Sequence, residues 1–253
     1  MGKDLETALK GLLGVEEGST TEEIIDLVLS VAPYISKLRN AVILHRLQKR
    51  VKENEEQLIR IGNKVNLLDE PLKEMLQNTI FPFVLDDLME EHQEKKVEFI
   101  LDGFEYVVDE KIREEAYIIS YYDVLRELRI EDLKRLLEYT RKFKQGIGKE
   151  ISKNRKELSY TDKDLYYKEA SYRRHIDYKL ESKWLIGNDK DKQIEQISDL
   201  VNHRYYSDDK YRTRFNRGVM DSKLKRASET KLTRFGNDLI KVFNLEILMD
   251  EIK

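Results

Sequence analysis

Apolar residues recur at alternating steps of three and four between residues 44 and 65. The positions are Leu44, Leu47, Val51, Asn54, Leu58, Ile61 and Val65, and Asn54 is the one polar member. This spacing keeps one face of an α-helix apolar over three heptads, as in the seam of a coiled coil. A second helical stretch follows a corner at Pro71, runs from about Phe83 to Val108 and should break near Gly103. Together the two stretches predict an antiparallel coiled-coil hairpin.

The composition agrees with a mainly α fold. Only 3 Pro and 11 Gly occur in 253 residues, and charged residues make up 38% of the chain. High charge with few helix breakers is typical of long helices with solvated outer faces. The hydrophobic fraction of 40% is enough to build a core.

Several classes of protein are disfavoured by what the sequence lacks. There is no cysteine, so disulfide scaffolds and thiolate metal sites are excluded. No apolar run reaches the roughly 18 to 20 residues that span a bilayer, and the N-terminus does not look like a signal peptide. A Gly-rich phosphate loop, a nucleophile-elbow motif and a zinc pattern are also missing. We therefore expect a cytoplasmic protein with no metal, no cofactor and no membrane contact.

Charge is divided unevenly along the chain. Residues 1–140 carry 19 Lys or Arg against 30 Asp or Glu, whereas residues 141–253 carry 27 against 19. The second part also holds most of the tyrosines, with 8 of 14 between residues 160 and 211. This asymmetry predicts an acidic helical domain over 1–140 and a basic domain over 141–253 with different partners. Alternatively, the two parts simply attract each other.

Two short segments of the basic part predict strands. Tyr178 to Gly187 has the pattern of a helix that ends in a short apolar strand, Trp184 to Gly187. Thr230 to Ile240 has the pattern of a strand, Lys231 to Thr233, that leads directly into another helix. We expect these strands to pair as an antiparallel ribbon and the rest of the chain to be almost entirely helical.

This order of elements resembles a winged helix-turn-helix domain over roughly residues 131–243. In that family the helix before the wing often enters the major groove of DNA. Here the resemblance implies a recognition helix over about Glu169 to Lys183 and a long insertion in the wing at about 188–226. Asp177 and Glu181 on that helix, and the length of the insertion, depart from the family pattern.

The resemblance and the local charge together suggest residues that would contact nucleic acid. Arginine and lysine neutralise phosphates, arginine can also pair with guanine, and the aromatic residues among these cations could stack on exposed bases. The candidates are Arg173, Arg174, Lys179, Lys183, Arg204, Lys210, Arg212, Arg214, Arg217, Lys223, Lys225 and Arg226. Winged helices also serve as dimerisation and protein-docking modules, so an adaptor that binds a protein or a second copy of itself is the alternative.

Arg39 and His45 raise a different possibility. The segment Arg39-Asn40-Ala41-Val42-Ile43-Leu44-His45 resembles the motif of HEPN ribonucleases. In that family the arginine stabilises charge on the scissile phosphate and the histidine transfers protons, usually across a dimer interface. A spacing of six residues sets the two side chains about 120° apart on a straight helix. They could equally be two solvated side chains outside the apolar seam.

A looser resemblance concerns element order and a few positions. A helical N-terminal part, the segment from Tyr121 to Asp132 and the closing Leu232-Thr233-Arg234-Phe235-Gly236 are similar to the abortive-infection alpha family of phage-defence proteins. This resemblance implies a bacterial or phage setting and transfers no catalytic residue. The sequence thus favours a non-enzymatic nucleic-acid-binding or assembly subunit, with a HEPN-like ribonuclease or a protein adaptor as alternatives.

Overall fold

The structure is a computed structural model, and it describes residues 3–14, 37–146, 148–187 and 230–252. Over this part the chain is mainly helical, which confirms the expected fold class. The contacts divide it into two compact units. Unit 1 comprises the described residues within 1–134 and 239–252, and unit 2 those within 135–238.

Unit 1 is built from helices alone, as far as the described residues show. Its π-helical turn is Leu76–Ile80 and its closing 3-10 helix is Leu245–Glu251. Its α-helices are α1 (Lys3–Leu13), α2 (Lys37–Glu53), α3 (Glu55–Val65), α4 (Glu70–Met75), α5 (Phe81–Glu90), α6 (Glu94–Asp109), α7 (Glu115–Glu127), most of α8 (Ile130–Leu137) and the end of α12 (Arg234–Val242).

The predicted apolar seam is buried, but two helices share it. Leu47, Val51, Leu58, Ile61 and Val65 are all buried. α2 packs against α5, and α3 packs against α6, so the second helical stretch does return along the first. The chain leaves helical geometry between α2 and α3, at Asn54 with φ −111° and ψ 25°. There the Asn54 Nδ2 donates to the Arg50 carbonyl at 2.8 Å.

The break in the second stretch lies in a different place from the predicted one. α5 ends at Glu90 and α6 begins at Glu94, whereas α6 continues through Gly103. Glu91 Oε1 accepts the backbone N–H groups of His92 at 2.7 Å and Gln93 at 2.8 Å, which explains how the chain turns here. Gly103 has a packing role, because a Cβ there would lie 2.3 Å from Cε1 of Phe243.

The described residues of unit 2 comprise the end of α8, three further helices, a two-stranded ribbon and the start of α12. The helices are α9 (Arg141–Gln145), α10 (Gly148–Thr161) and α11 (Lys163–Ser182), and the strands are β1 (Ile186–Gly187) and β2 (Lys231–Leu232).

The ribbon confirms the predicted strand pairing. β1 and β2 are antiparallel, with Ile186 opposite Leu232 and Gly187 opposite Lys231. The helix before the ribbon begins at Lys163, about two turns earlier than predicted. β1 is shorter than predicted, because Trp184 has a left-handed backbone with φ 59° and cannot continue a strand.

The insertion predicted at 188–226 lies outside the described residues. Among the residues that the structure describes, no helix is long and apolar enough to cross a membrane.

Candidate nucleic-acid interface

Helix α11 organises the candidate interface, and its sequence explains where it begins and ends. Asp162 is the N-cap, and its side chain accepts the backbone N–H of Leu165 at 3.0 Å. Ile176 and Leu180 are buried on one face of the helix. At the C-terminus the backbone N–H of Leu185 donates to the carbonyl of Leu180 at 3.0 Å, which closes the last turn.

Thr233 and Gly236 join the ribbon to α12. The backbone N–H and the hydroxyl of Thr233 both donate to the Leu185 carbonyl, at 3.0 and 3.1 Å, and Thr233 Oγ1 accepts the Gly236 N–H at 3.0 Å. A Cβ on Gly236 would lie 2.2 Å from the Leu185 carbonyl oxygen, so only glycine fits. Within the segment Leu232-Thr233-Arg234-Phe235-Gly236, Thr233 and Gly236 therefore have a structural explanation that requires no functional role.

Arginine and carboxylate side chains fix the inner side of α11. Arg135 binds Asp177 through two hydrogen bonds of 2.6 and 2.7 Å, and it also contacts Glu138 at 2.7 Å. Arg173 pairs with Glu138 as well, and Arg155 lies 3.5 Å from that carboxylate. Asp177, which seemed unfavourable on a nucleic-acid-binding helix, is thus used inside the unit.

The pKa of Glu138 shows that the arginines dominate this network. Burial alone would raise the pKa, but the hydrogen bond from Arg173 and the charges of Arg173, Arg135 and Arg155 outweigh burial and lower it. Burial also disfavours the charged form of Arg155. There it outweighs the attraction of Glu138 and lowers the pKa of the guanidinium. The network therefore keeps Glu138 ionised and α11 in place.

The neighbouring arginines Arg173 and Arg174 have different surroundings. The Arg173 side chain is 22% exposed and held by Glu138, whereas Arg174 is exposed. Lys179 and Lys183 are partly exposed near the end of α11. The remaining predicted cations lie outside the described residues; they are Arg204, Lys210, Arg212, Arg214, Arg217, Lys223, Lys225 and Arg226.

A group of exposed cations on α9 and α10 was not singled out from the sequence. These side chains are Arg141, Lys142, Lys144, Lys149 and Lys153. The signal was present, because residues 141–157 contain seven Lys or Arg against two Asp or Glu. It lies outside the recognition helix that the winged-helix resemblance implies.

Large aromatic side chains are also exposed on this unit. They are Tyr167, Tyr172, Tyr178 and Trp184, with exposures of 62%, 51%, 74% and 79%. At 100° per residue, Tyr167, Arg174 and Tyr178 lie within about 40° of one another on α11. Around the helix from Tyr167, the buried Ile176 and Leu180 lie about 180° and 140° away, Arg173 about 120° and Asp177 about 80°. The outer side of α11 thus carries an arginine between two tyrosines.

The Arg39 and His45 pair stays a prediction. The backbone is helical at both positions in α2, and the side chain of His45 is exposed. The side chain of Arg39 lies outside the described part of the structure.

A cavity of about 250 Å³ in unit 1 contains several charged groups. Its lining residues are Asp87, Glu90, Glu91, His92, Lys96, Ile100, Leu125 and Arg126. Lys96 pairs with Glu91 at 2.5 Å, and Arg126 Nε donates to Asp87 at 2.6 Å. Burial raises the pKa of Asp87 to about 6, although Arg126 opposes it. These pairs link α5, α6 and α7, and the described residues contain no cluster of His, Cys, Asp and Glu that could hold a metal.

Comparisons with known proteins give no match. No protein-family model, no curated protein and no solved structure matches the chain.

Proposed function

We propose that this chain is a non-enzymatic nucleic-acid-binding subunit and that unit 2 makes the contact. The observation that carries the proposal is the outer side of α11, where exposed Arg174 lies between exposed Tyr167 and Tyr178. Phosphates require positive charge, and bases offer flat faces to aromatic side chains. An exposed surface on which an arginine lies between tyrosines offers positive charge for phosphates and aromatic faces for bases.

The cations of α9 and α10 extend this surface chemistry. Lys149 and Lys153 are four residues apart and therefore lie on one side of α10. Exposed lysines at this spacing suit successive phosphate contacts, which position a nucleic acid without distinguishing its sequence. Arg173 is not part of the proposed interface, because Glu138 already holds it inside the unit.

The order of a helix followed by an antiparallel ribbon supports a winged-helix interpretation, with α11 as the recognition helix. In that interpretation the insertion at about 188–226 would belong to the wing. The setting in a bacterial or phage system, including phage defence, rests on the sequence resemblance alone.

Salt-dependent binding tests the proposal. Fluorescence anisotropy of labelled duplex and single-stranded oligonucleotides is measured with the full chain at several salt concentrations. Each phosphate contact contributes about 0.7 to 0.9 to the slope of log affinity against log salt. We expect binding at low salt that weakens steeply as salt rises, and a slope reduced by about 1.5 in Lys149→Ala/Lys153→Ala.

A matched variant separates a specific contact from general charge. Lys52 and Arg129 are exposed cations of unit 1, so Lys52→Ala/Arg129→Ala changes net charge equally. The proposal expects this control to bind almost as wild type. Equal losses in both double variants, or no binding to any oligonucleotide at low salt, would refute it.

A protein-docking role is the second candidate, because tryptophan, tyrosine and arginine are the residues that dominate protein interfaces. The same experiment distinguishes the two roles, since a docking module would bind neither duplex nor single strand. Labelled RNA in a parallel reaction with chelator also tests the ribonuclease alternative. Cleavage by wild type that disappears in both Arg39→Ala and His45→Ala would favour that alternative.

A further inference from the structure

Trp184 lies two residues beyond the last residue of α11, in a position that normally favours glycine. The N–H of Trp184 donates to the Glu181 carbonyl and the N–H of Leu185 to the Leu180 carbonyl, both at 3.0 Å. This pair of bonds is a Schellman motif, in which the residue at Trp184 must adopt a left-handed backbone. Its φ of 59° meets that requirement.

Packing does not explain a tryptophan there. A left-handed backbone costs a residue with a Cβ about 1 to 2 kcal/mol. The indole is 79% exposed, so burial recovers little of this cost. Leu180 and Leu185 occupy the two positions of the apolar pair that usually accompanies the motif, and both are fully buried.

A second helix of the chain provides a direct control. α6 ends at Asp109, and Lys111, two residues beyond, has φ 52°. The N–H of Ile112 donates to the Val107 carbonyl at 3.1 Å. Lys111 is exposed, as a lysine at the surface ordinarily is. The same backbone motif therefore carries a solvated cation in unit 1 and an exposed indole in unit 2.

We propose that Trp184, together with Tyr178 and Tyr167, forms a base-stacking surface for single-stranded nucleic acid; this inference rests on the function proposed above. Arg174 supplies positive charge within the same stretch, and the rise of 1.5 Å per residue separates Tyr167 from Tyr178 by about 16 Å. The two tyrosines therefore contact different nucleotides of one strand, with Trp184 beyond the end of the helix.

Aromatic faces favour a single strand over a duplex. In a duplex the bases are stacked on one another and expose only their edges in the grooves. An indole therefore cannot stack on a base face there. In a single strand each unstacked base offers a π-face, and one stacking contact contributes about 1 to 3 kcal/mol, or roughly fivefold to 150-fold in affinity. Bases are common to DNA and RNA, so either strand fits.

The fluorescence of Trp184 can report the proposed contact directly, because Trp184 is the only tryptophan in the chain. The intrinsic fluorescence of the full chain is titrated with oligothymidylate, with an abasic strand of equal length and with a duplex. We expect quenching by oligothymidylate, little quenching by the other two, and at least about tenfold tighter binding of oligothymidylate than of the abasic strand.

Three variants test the assignment by anisotropy and thermal melting. Trp184→Gly should lose about tenfold in affinity for oligothymidylate, keep its affinity for the abasic strand and melt no earlier than wild type. Trp184→Phe should retain most of the affinity because it keeps an aromatic face. Lys111→Gly relieves the same backbone strain and should leave binding unchanged.

The outcomes separate this inference from the proposed function. Equal affinity of wild type for the abasic strand and oligothymidylate would overturn base stacking while leaving a phosphate-binding surface. Early melting of Trp184→Gly would assign the indole a structural role and overturn the inference as well. Failure of every strand to bind would instead refute the proposed function itself.

Discussion

The described aromatic side chains are mostly buried in unit 1, whereas four of those in unit 2 are exposed. In unit 1, Phe81, Phe99, Phe104, Tyr122 and Phe243 are buried, and Tyr122 meets Phe243 edge to face with ring centroids 5.2 Å apart. In unit 2, Tyr167, Tyr172, Tyr178 and Trp184 are exposed. Aromatic residues hold the first unit together, whereas in the second they form part of its surface.

Both units also contain ion pairs. On unit 1, Glu105 accepts hydrogen bonds from Arg60 at 2.6 Å and from Lys64 at 2.8 Å near the surface. In unit 2, the mostly buried Glu138 forms ion pairs with Arg135, Arg155 and Arg173. Unit 1 also buries charge, since Arg50, Asp87 and Lys96 are buried and each pairs with an opposite charge. The two units therefore differ in their exposed aromatic residues rather than in whether they bury ion pairs.

The largest expected effect concerns the apolar core of unit 1. Leu58 is fully buried, whereas Leu67 is 86% exposed only nine residues later. Leu58→Ala should lower the free energy of unfolding by about 3 kcal/mol, because it removes buried methyl groups and leaves a cavity. Leu67→Ala should change it by less than about 0.5 kcal/mol. Urea denaturation of both variants measures this difference, and similar values for the two would contradict the described core.

A smaller effect is expected in the ionic network of unit 2. Glu138→Gln leaves three arginines without their shared carboxylate and should cost about 2 kcal/mol. Glu150, exposed on α10, is the matched control, and Glu150→Gln should be nearly neutral. A neutral Glu138→Gln would mean that the network contributes little to the stability of unit 2.

The pH dependence of the same variant checks the electrostatic cause. Because the pKa of Glu138 is lowered on folding, its contribution is complete above its ordinary value of 4.5 and is lost as pH falls below that value. The difference in unfolding free energy between wild type and Glu138→Gln should therefore shrink on acidification. A difference that stays constant from pH 6 to about pH 3 would point to packing as the cause.

The smallest expected effect compares the two left-handed helix ends. Glycine at position 184 or 111 should relieve about 1 to 2 kcal/mol of backbone strain. The greater conformational freedom of glycine in the unfolded chain should cancel about 0.5 to 1 kcal/mol of that gain. Trp184→Gly and Lys111→Gly should therefore each stabilise the chain by about 0.5 kcal/mol. Denaturation curves that show a loss of more than about 1 kcal/mol in Trp184→Gly alone would reveal packing of the indole.

The sequence predicts those features that depend on regular patterns. Burial of Leu58 and Ile61 followed from helical periodicity, and the pairing of Ile186 with Leu232 followed from short apolar segments on either side of a long insertion. Periodicity does not show local side-chain bonds, so the turn held by Glu91 was missed. Gly103 was interpreted as a helix breaker because the sequence could not show that Phe243 packs on it.

The candidate interface was predictable in residue type but not in detail. Arg173 and Arg174 are equivalent in sequence, and only the position of Glu138 shows that the first is held inside the unit. Trp184 was assigned to a strand because it precedes two apolar residues. Its left-handed backbone depends on hydrogen bonds to the preceding helix, which residue types alone do not specify.

Hydrogen exchange with and without a bound oligothymidylate strand tests the central claim most directly. We expect slower amide exchange on binding in peptides from α9 to β1, residues 141–187, and unchanged exchange in α2 to α6, residues 37–109. Slower exchange confined to α2 to α6 would place the binding surface on unit 1 and contradict the account. If the strand binds but amide exchange changes in neither residues 141–187 nor residues 37–109, α11 is not part of the binding surface and the account is likewise contradicted.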